Sequence, residues 1–163
     1  MSLAIRFFDP IKEVEHLPWE LLLDADPNRD LVTAYLKQSL VLVAFDSENP
    51  DKLLGVLVFQ ERLKEWEILN VAVAPACQNQ GIGKRLLQAC LREIKNQQDQ
   101  KQILIKTGDL TSPALTLYQK MGFKQIAFIK DYFVENYPKP IYEEGEQLRN
   151  QVILAYNPSS TCS

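Results

Sequence analysis

The stretch that most constrains the fold is 71–87, where an apolar segment passes through a proline-containing loop into two glycines and an amphipathic segment. Residues 65–74 end in a short run rich in valine, which is typical of a buried strand. From Gly81 onward apolar residues recur at steps of three and four, which predicts a helix with one buried stripe. The stripe consists of Ile82, Leu86, Leu87, Cys90, Leu91 and Ile94. The core of the chain therefore combines strands with helices.

The rest of the chain continues this mixture. Strands are predicted at 4–8, 40–45, 53–59, 103–105, 123–129 and 151–156, and helices at 11–23, at 28–38 and from Ser112 to Gly122. The turn residues 47–51 predict an antiparallel hairpin. A length of 163 residues suits one domain. The sequence thus predicts a single domain over 1–163 with an α/β (α+β) fold, in which helices flank a mixed, mostly antiparallel central sheet.

The glycines at the start of the long helix indicate a site for an anion. The first amides of a helix have no intrahelical partner, and the helix dipole makes them positive. Lys84 and Arg85 stand in a turn that usually prefers acidic residues, which also fits a bound anion. A P-loop would need glycine where Gln78 stands, and a dinucleotide-binding turn would need it at Leu86. The alternative is that the glycines only permit a tight turn.

Residues 78–83, which read Gln-Asn-Gln-Gly-Ile-Gly, resemble the Gln/Arg-x-x-Gly-x-Gly/Ala motif of the GNAT superfamily of N-acetyltransferases. Residues 67–75 are similar to the fourth strand of that family, and 114–123 are similar to its Ala-x-x-Leu-Tyr-x-x-x-Gly-Phe helix. The resemblance spans 67–123. It implies a GNAT-like fold and an enzyme that moves an acetyl group from acetyl-CoA directly to a primary amine.

The resemblance also implies which residues bind the donor. In the family, loop amides hold the pyrophosphate of acetyl-CoA, and unpaired amides of the fourth strand stabilise the oxyanion. The matching positions are Val71, Ala72, Val73, Gln78, Asn79, Gln80, Gly81, Ile82, Gly83 and Lys84. Thr111 stands where many members have a cofactor-contacting asparagine, and its hydroxyl is expected to do part of the same work.

Glu67 and Tyr118 are the candidate catalytic residues. An alkyl amine has a pKa near 10, so about one molecule in a thousand is neutral at pH 7, and a base is valuable. Glu67 aligns with an acidic position that some family members use, and strict alternation puts it on one face with Val71 and Val73. Glu65 has the same parity and is the alternate base. The resemblance implies that Tyr118 protonates the departing thiolate. The alternatives are a solvated Glu67 and a Tyr118 that only packs.

Composition and reactive residues exclude several other classes of protein. Eighteen basic and 21 acidic residues give a net charge of −3, which does not suit a protein that binds nucleic acid. One histidine, His16, and three scattered cysteines, Cys77, Cys90 and Cys162, predict neither a metal site nor a disulfide scaffold. We find no signal peptide and no bilayer-length apolar run, so a cytoplasmic protein without a membrane partner is expected.

Two acidic clusters favour a small cationic acceptor, since negative charge raises its encounter rate. They comprise Asp24, Asp26 and Asp30, and Glu135, Glu143, Glu144 and Glu146. Both also fit a solvated loop. The aromatic residues of 132–146 predict an ordered segment, either a pocket wall or a homodimer contact. The competing functions are a protein acetyltransferase acting on a lysine or an amino terminus, and a non-catalytic acetyl-CoA-binding module.

Overall fold

The computed structural model describes residues 2–158, and the chain divides into two compact units, 1–99 and 100–163. Each unit contains an antiparallel sheet together with helices. No helix among residues 2–158 is long and apolar enough to cross a membrane. Cys162 lies outside the described residues.

The first unit is built on a four-stranded antiparallel sheet of order β1-β2-β3-β4. Its elements are β1 (Leu3–Phe8), α1 (Trp19–Ala25), α2 (Arg29–Leu36), β2 (Leu40–Asp46), β3 (Asn49–Glu61), β4 (Glu65–Val73) and α3 (Ile82–Asn96). Short 3-10 turns occupy Val14–His16 and Pro75–Cys77.

The two faces of this sheet are covered by different helices. On one face Val56 and Val58 pack in a cluster with Leu22 of α1 and Val32 of α2. The register turns Gly55 to the other face, where a Cβ on this glycine would lie only 3.0 Å from a methyl group of Leu86 in α3. The absence of a side chain at position 55 therefore lets α3 approach the sheet closely.

The helix predicted at 11–23 is wrong over 11–18, where the chain forms turns that include a 3-10 turn, and is confirmed only from Trp19, where α1 begins. The carboxylate of Asp9 accepts hydrogen bonds from the amides of Ile11 and Lys12, which closes a local turn instead. Pro18 then excludes the residue before it from the helical conformation by steric clash, and Leu17 accordingly has a ψ of 131°. The periodicity is real but is interrupted by turn chemistry.

In α2 the buried face also differs from the expected one. The steps of three and four residues in 28–38 predict that Leu31, Tyr35 and Leu36 share the buried face. Val32 and Leu36 are buried, whereas Leu31 is 46% exposed. The hairpin between β2 and β3 is antiparallel as predicted, although β3 already begins at Asn49, so that its turn is shorter than 47–51.

The second unit has a three-stranded antiparallel sheet of order β5-β9-β6 and a separate hairpin. Its elements are β5 (Gln102–Gly108), α4 (Pro113–Lys120), β6 (Lys124–Ile129), α5 (Tyr132–Asn136), β7 (Ile141–Glu143), β8 (Glu146–Leu148) and β9 (Gln151–Tyr156). The side chain of Ser112 accepts a hydrogen bond from the Leu115 amide and caps α4, as predicted. Gly122 follows the helix with a φ of 105°.

The segment 132–146 is ordered, in agreement with its aromatic content, although α5 and the β7–β8 hairpin were not predicted. The rings of Tyr132 and Phe133 meet edge to face at 5.1 Å, and the Phe133 and Tyr137 rings are 5.7 Å apart. The carboxamide of Asn150 fixes the start of the segment by accepting a hydrogen bond from the amide of Asp131. These contacts hold the start of the segment in place.

Candidate active site

The loop between β4 and α3 is exposed and takes its shape from two left-handed residues. Asn79 has a φ of 64° and Gly81 a φ of 79°. A Cβ at Gly81 would meet no atom within 4 Å, so glycine is favoured there by its conformation and not by crowding. The amide side chain of Gln78 donates to the carbonyl of Val73 at 3.3 Å and ties the loop to the end of β4.

The first turn of α3 presents amides that no carbonyl of the helix can accept. The first backbone hydrogen bond of the helix runs from the Arg85 amide to the Gly81 carbonyl at 3.1 Å. The amides of Ile82, Gly83 and Lys84 precede it and have no intrahelical acceptor. Gly81 has no side chain to cap them, and the first turn contains no acidic residue. This end of α3 therefore has the geometry and the polarity of an anion site.

The end of β4 orients its backbone amides alternately. The amide of Ala74 donates to the carbonyl of Leu54 in β3 at 2.8 Å, so the amide of Ala72, two residues earlier, also points toward β3. The amides of Val71 and Val73 point away from β3. The family resemblance implies oxyanion donors near these two positions.

The most informative irregularity of β4 is a β-bulge at Leu69. Val58 of β3 is paired with Asn70, and the next residue of β3, Phe59, is paired with Ile68. Leu69 is therefore an extra residue in the register. A bulge of this kind interrupts the alternation of side chains, so residues on its two sides change faces relative to a regular strand.

The bulge puts Glu67 on the face that α1 and α2 cover. Cross-strand partners share a face, and Glu67 is paired with Gln60, which lies two residues beyond Val58 on β3. Glu67 thus shares its face with Asn70. The prediction that it shares a face with Val71 and Val73 is wrong, because strict alternation does not count the inserted residue.

Three buried polar side chains therefore lie side by side next to α1 and α2. Only four polar or charged residues in the described part of the chain are buried, and Gln60, Glu67 and Asn70 are three of them, the fourth being Gln151. Glu67 is 6% exposed and its Oε1 lies 3.1 Å from Nε of Arg62. It is consequently not the solvated carboxylate of the alternative reading, whereas Glu65 is half-buried at the start of the strand.

The two amides beside Glu67 contact the helical layer. Asn70 Nδ2 donates to the carbonyl of Leu22 at 2.9 Å and to the hydroxyl of Tyr35 at 3.0 Å. Gln60 Nε2 donates to the carbonyl of Gln38 at 3.2 Å. Burial raises the pKa of Tyr35 to about 12; the Asn70 hydrogen bond opposes this rise and the charge of Asp26 adds to it. Gln60, Asn70 and Tyr35 were not among the predicted site residues. The available signal for Gln60 and Asn70 was a polar side chain next to or within an apolar run.

In the second unit, Tyr118 is 6% exposed on α4, and burial raises its pKa to about 12. Its ring packs edge to face against Phe123 at 6.3 Å. The helical spacing of 112–122 predicts that Ala114, Leu117 and Met121 share the core-facing stripe with Tyr118, but Ala114 is exposed and Leu117 and Met121 are only half-buried. Thr111 is exposed, just before the cap of α4.

The remaining reactive side chains have ordinary surroundings. Cys90 is buried in the apolar stripe of α3, where burial raises the pKa of its thiol. Cys77 is half-buried and free. His16 is exposed in the 3-10 turn before α1. Residues 2–158 contain no group of three or more His, Cys, Asp and Glu side chains arranged to hold a metal ion.

Comparison with known proteins identifies similar sequences and structures. The family model "Acetyltransferase (GNAT) domain" matches residues 37–125. The chain is 36% identical over 137 residues to the uncharacterized N-acetyltransferase YvbK of Bacillus subtilis, which covers 83% of this chain and 86% of that protein. A GNAT family acetyltransferase from Elizabethkingia anophelis, solved with acetyl-CoA bound, superposes with a TM-score of 0.84 at 33% identity and covers 95% of this chain and 97% of its own. The expected fold class is thereby confirmed.

Relatives that act on protein are found as well. The [ribosomal protein bS18]-alanine N-acetyltransferase of Haemophilus ducreyi is 29% identical over 153 residues, which is 92% of this chain and 90% of that protein. Similarity alone therefore leaves the kind of acceptor open.

Proposed function

This chain belongs to the GNAT family of N-acetyltransferases, so it is an acyltransferase whose acetyl donor is acetyl-CoA, and we propose that it acetylates a primary amine of a small cationic acceptor by direct transfer. We propose further that residues 1–163 act as one domain in the cytoplasm. The observation that carries the proposal is the buried carboxylate of Glu67 on the strand that leads into the glycine loop.

The donor half of the proposal concerns the first turn of α3. We assign the diphosphate of the donor to residues 78–84, with Lys84 adding positive charge. The amides of Val71 and Val73 are the proposed donors to the oxyanion that develops on the acetyl group. Their orientation away from β3 supports this assignment, because an amide directed at β3 would already be paired. Thr111 is proposed as a further contact to the donor.

Glu67 is proposed as the base that accepts the proton of the acceptor amine, through a water molecule. At pH 7 the neutral fraction of an alkyl amine is about one in a thousand, which corresponds to roughly 4 kcal/mol. A carboxylate in a buried site can recover part of this cost by taking the proton during attack. Its position on the face of α1 and α2 supports an acceptor that enters from that side. Glu65 stays the alternate base.

Tyr118 is proposed as the acid for the departing thiolate. A tyrosine whose pKa is about 12 keeps its proton throughout the working pH range, but it is a weaker acid than a thiol. Water can therefore replace it in part, so a contribution to rate and not an absolute requirement is expected.

The cationic acceptor is supported by Asp24, Asp26 and Asp30, which lie at the end of α1 and the start of α2. The effect of Asp26 on the pKa of Tyr35 indicates that its charge reaches the polar cluster around Asn70. The second candidate function is acetylation of a protein amino terminus or lysine, which the relative from Haemophilus ducreyi favours.

A homodimer is also proposed. The strand β6 ends the sheet of the second unit and exposes Ile126 and Phe128, 55% and 52% respectively. Such an edge strand can pair with a second copy. Light scattering after gel filtration measures the mass directly, and a single monomer mass at high protein concentration would contradict the dimer.

The function is tested by release of free CoA from acetyl-CoA in the presence of polyamines, aminoglycosides and amino-terminal or lysine-containing peptides. We expect release with at least one small polycation and not with the peptides. Release with the peptides alone would establish the second candidate. Protection of the protein by acetyl-CoA against heat, without turnover of any amine, would instead identify the non-catalytic module.

A further inference from the structure

We propose that Asn70 is a positioning residue that holds α1 and α2 in register over Glu67 and so sets where the acceptor amine meets the base. The proposal rests on the proposed function, because it assumes that the acceptor lies between these helices and β4. It assigns to Asn70 no contact with the donor and no proton transfer.

The contacts of Asn70 join three elements at one point. Its Nδ2 donates at once to the backbone of α1, at Leu22, and to a side chain of α2, at Tyr35. Leu22 is fully buried, so the bond to its carbonyl is shielded from water. On the other side of Glu67, Gln60 donates to the carbonyl of Gln38, just after α2. The proposed base is therefore flanked by two amides that both tie the helical layer to the sheet.

The bulge at Leu69 makes this arrangement possible. In a regular strand, residues three apart point to opposite faces, so Glu67 and Asn70 would be separated by the sheet. The inserted residue brings both side chains to the α1–α2 face. Glu67, the proposed base, and Asn70, which binds α1 and α2, are thus neighbours on one face of β4.

The other end of the same carboxamide lowers stability. Asn70 Oδ1 is buried and has no hydrogen-bond partner among the described residues. A buried acceptor without a partner lowers stability, and an apolar side chain of similar shape would avoid that loss. Asparagine at this position is therefore explained by the two bonds of its Nδ2, both of which tie the α1–α2 layer to β4.

The experiment compares Asn70→Leu with the parent. Without the Nδ2 bonds α1 and α2 are free to shift on β4, and a displacement of the order of 1 Å near a reacting amine lowers the rate strongly. We expect kcat/KM for the acceptor to fall about tenfold or more. The dissociation constant of acetyl-CoA should stay within about twofold, because residues 78–84 are unchanged. The melting temperature should fall by only a few degrees, because the loss of the two Nδ2 bonds is partly offset by removal of the unpaired Oδ1.

Hydrogen exchange gives a readout that does not need turnover. Peptides covering 19–36 should exchange at least about threefold faster in Asn70→Leu, while peptides covering 82–96 keep the parental rate. Gln151→Leu is the matched control, since it also replaces a buried amide but lies in β9, and it should leave exchange at 19–36 unchanged. Asn70→Ala serves if leucine is too large for the site.

A double-mutant cycle with Tyr35→Phe separates an effect on the placement of α1 and α2 from a general loss of stability. Because the Tyr35 hydroxyl accepts its hydrogen bond from Asn70 Nδ2 and that bond is already lost in Asn70→Leu, the double variant should be no slower than Asn70→Leu alone. Unchanged exchange at 19–36, losses that add, or an equal effect of Gln151→Leu would overturn the proposal. If the parent releases no CoA with any amine, the proposed function fails, whereas the exchange experiment still decides whether Asn70 holds the helices.

Discussion

At the scale of single residues, the two proposed catalytic side chains, Glu67 and Tyr118, are polar groups that are buried. Glu67 is a carboxylate in a nearly closed environment, held by Arg62 and flanked by two amides. Tyr118 is a phenol packed against the ring of Phe123, with its pKa raised to about 12 by burial. Polar groups of this kind lower stability unless they are satisfied, and they concentrate where chemistry occurs.

Replacing Glu67 by glutamine tests the proposed base. We expect kcat with the best amine to fall about 100-fold at pH 7, since the variant cannot accept the proton. Part of the loss should be recovered as the pH rises toward 10, because the neutral amine becomes more abundant. Steady-state rates from pH 6 to 10 provide the measurement. Glu65→Gln is the control, and a larger loss in that variant would transfer the role of base to Glu65.

Tyr118→Phe tests the proposed acid. The tyrosine keeps its proton from pH 6 to 9, because its pKa of about 12 is far above that range. The variant should therefore be slower by a similar factor, about three- to tenfold, at every pH in this interval. If Tyr118→Phe is as fast as the parent from pH 6 to 9, Tyr118 is not the acid and contributes only packing.

At the scale of elements, the loop and α3 are the parts most nearly determined by local sequence. Gly81 and Gly145 both have φ near 80°, and a Cβ on either would meet nothing within 4 Å. They differ in place, since Gly81 opens α3 while Gly145 lies in the β7–β8 turn. Comparing the same substitution at both glycines therefore distinguishes the effect of backbone strain from an effect on donor binding.

Gly81→Ala and Gly145→Ala should each lower stability by about 1 kcal/mol, because a side chain is disfavoured in the left-handed region. Only Gly81→Ala should also weaken the binding of acetyl-CoA, by about tenfold, since it alone changes the amides at the start of α3. Thermal melts and calorimetric titration of both variants check this. Equal affinities for acetyl-CoA in the two variants would contradict a role for the loop in donor binding.

Sequence alone predicted these elements unevenly, for physical reasons. The stripe of α3 was visible because one helix face repeats every three to four residues, and Ser112 was visible as a cap because capping is local. The bulge at Leu69 was not visible, since it depends on how β4 is paired with β3 and the residue itself is an ordinary leucine. The helix predicted at 11–23 was wrong over 11–18, because the apolar periodicity continues across Pro18 whereas the helix begins only after it. The buried amides Gln60 and Asn70 acquire a role only through the folded register.

At the scale of the whole molecule, burial of two phenols should govern stability in alkali. Tyr35 and Tyr118 both have pKa values raised to about 12, against about 10 in an unfolded chain. The unfolded state therefore releases these protons first, and the stability they contribute is complete below pH 10 and is lost as the pH rises toward 12. Tyr118 alone accounts for about 2–3 kcal/mol of that loss.

Replacing Tyr35 or Tyr118 by phenylalanine should reduce the loss of stability above pH 10. The free energy of unfolding of Tyr118→Phe, measured by denaturant titration from pH 9 to 11.5, should fall less steeply than that of the parent. Tyr142→Phe is the control, since Tyr142 is 63% exposed and its replacement should leave the slope unchanged. Parallel curves for all three proteins would contradict the alkaline effect.

The most direct test of the account is a calorimetric comparison of acetyl-CoA with S-acetylpantetheine, which carries the same thioester but no diphosphate. If the diphosphate binds the free amides at the start of α3, acetyl-CoA should bind at least about 100-fold more tightly, a difference near 2.7 kcal/mol. Equal affinity for the two compounds, or no binding of acetyl-CoA at all, would contradict the account.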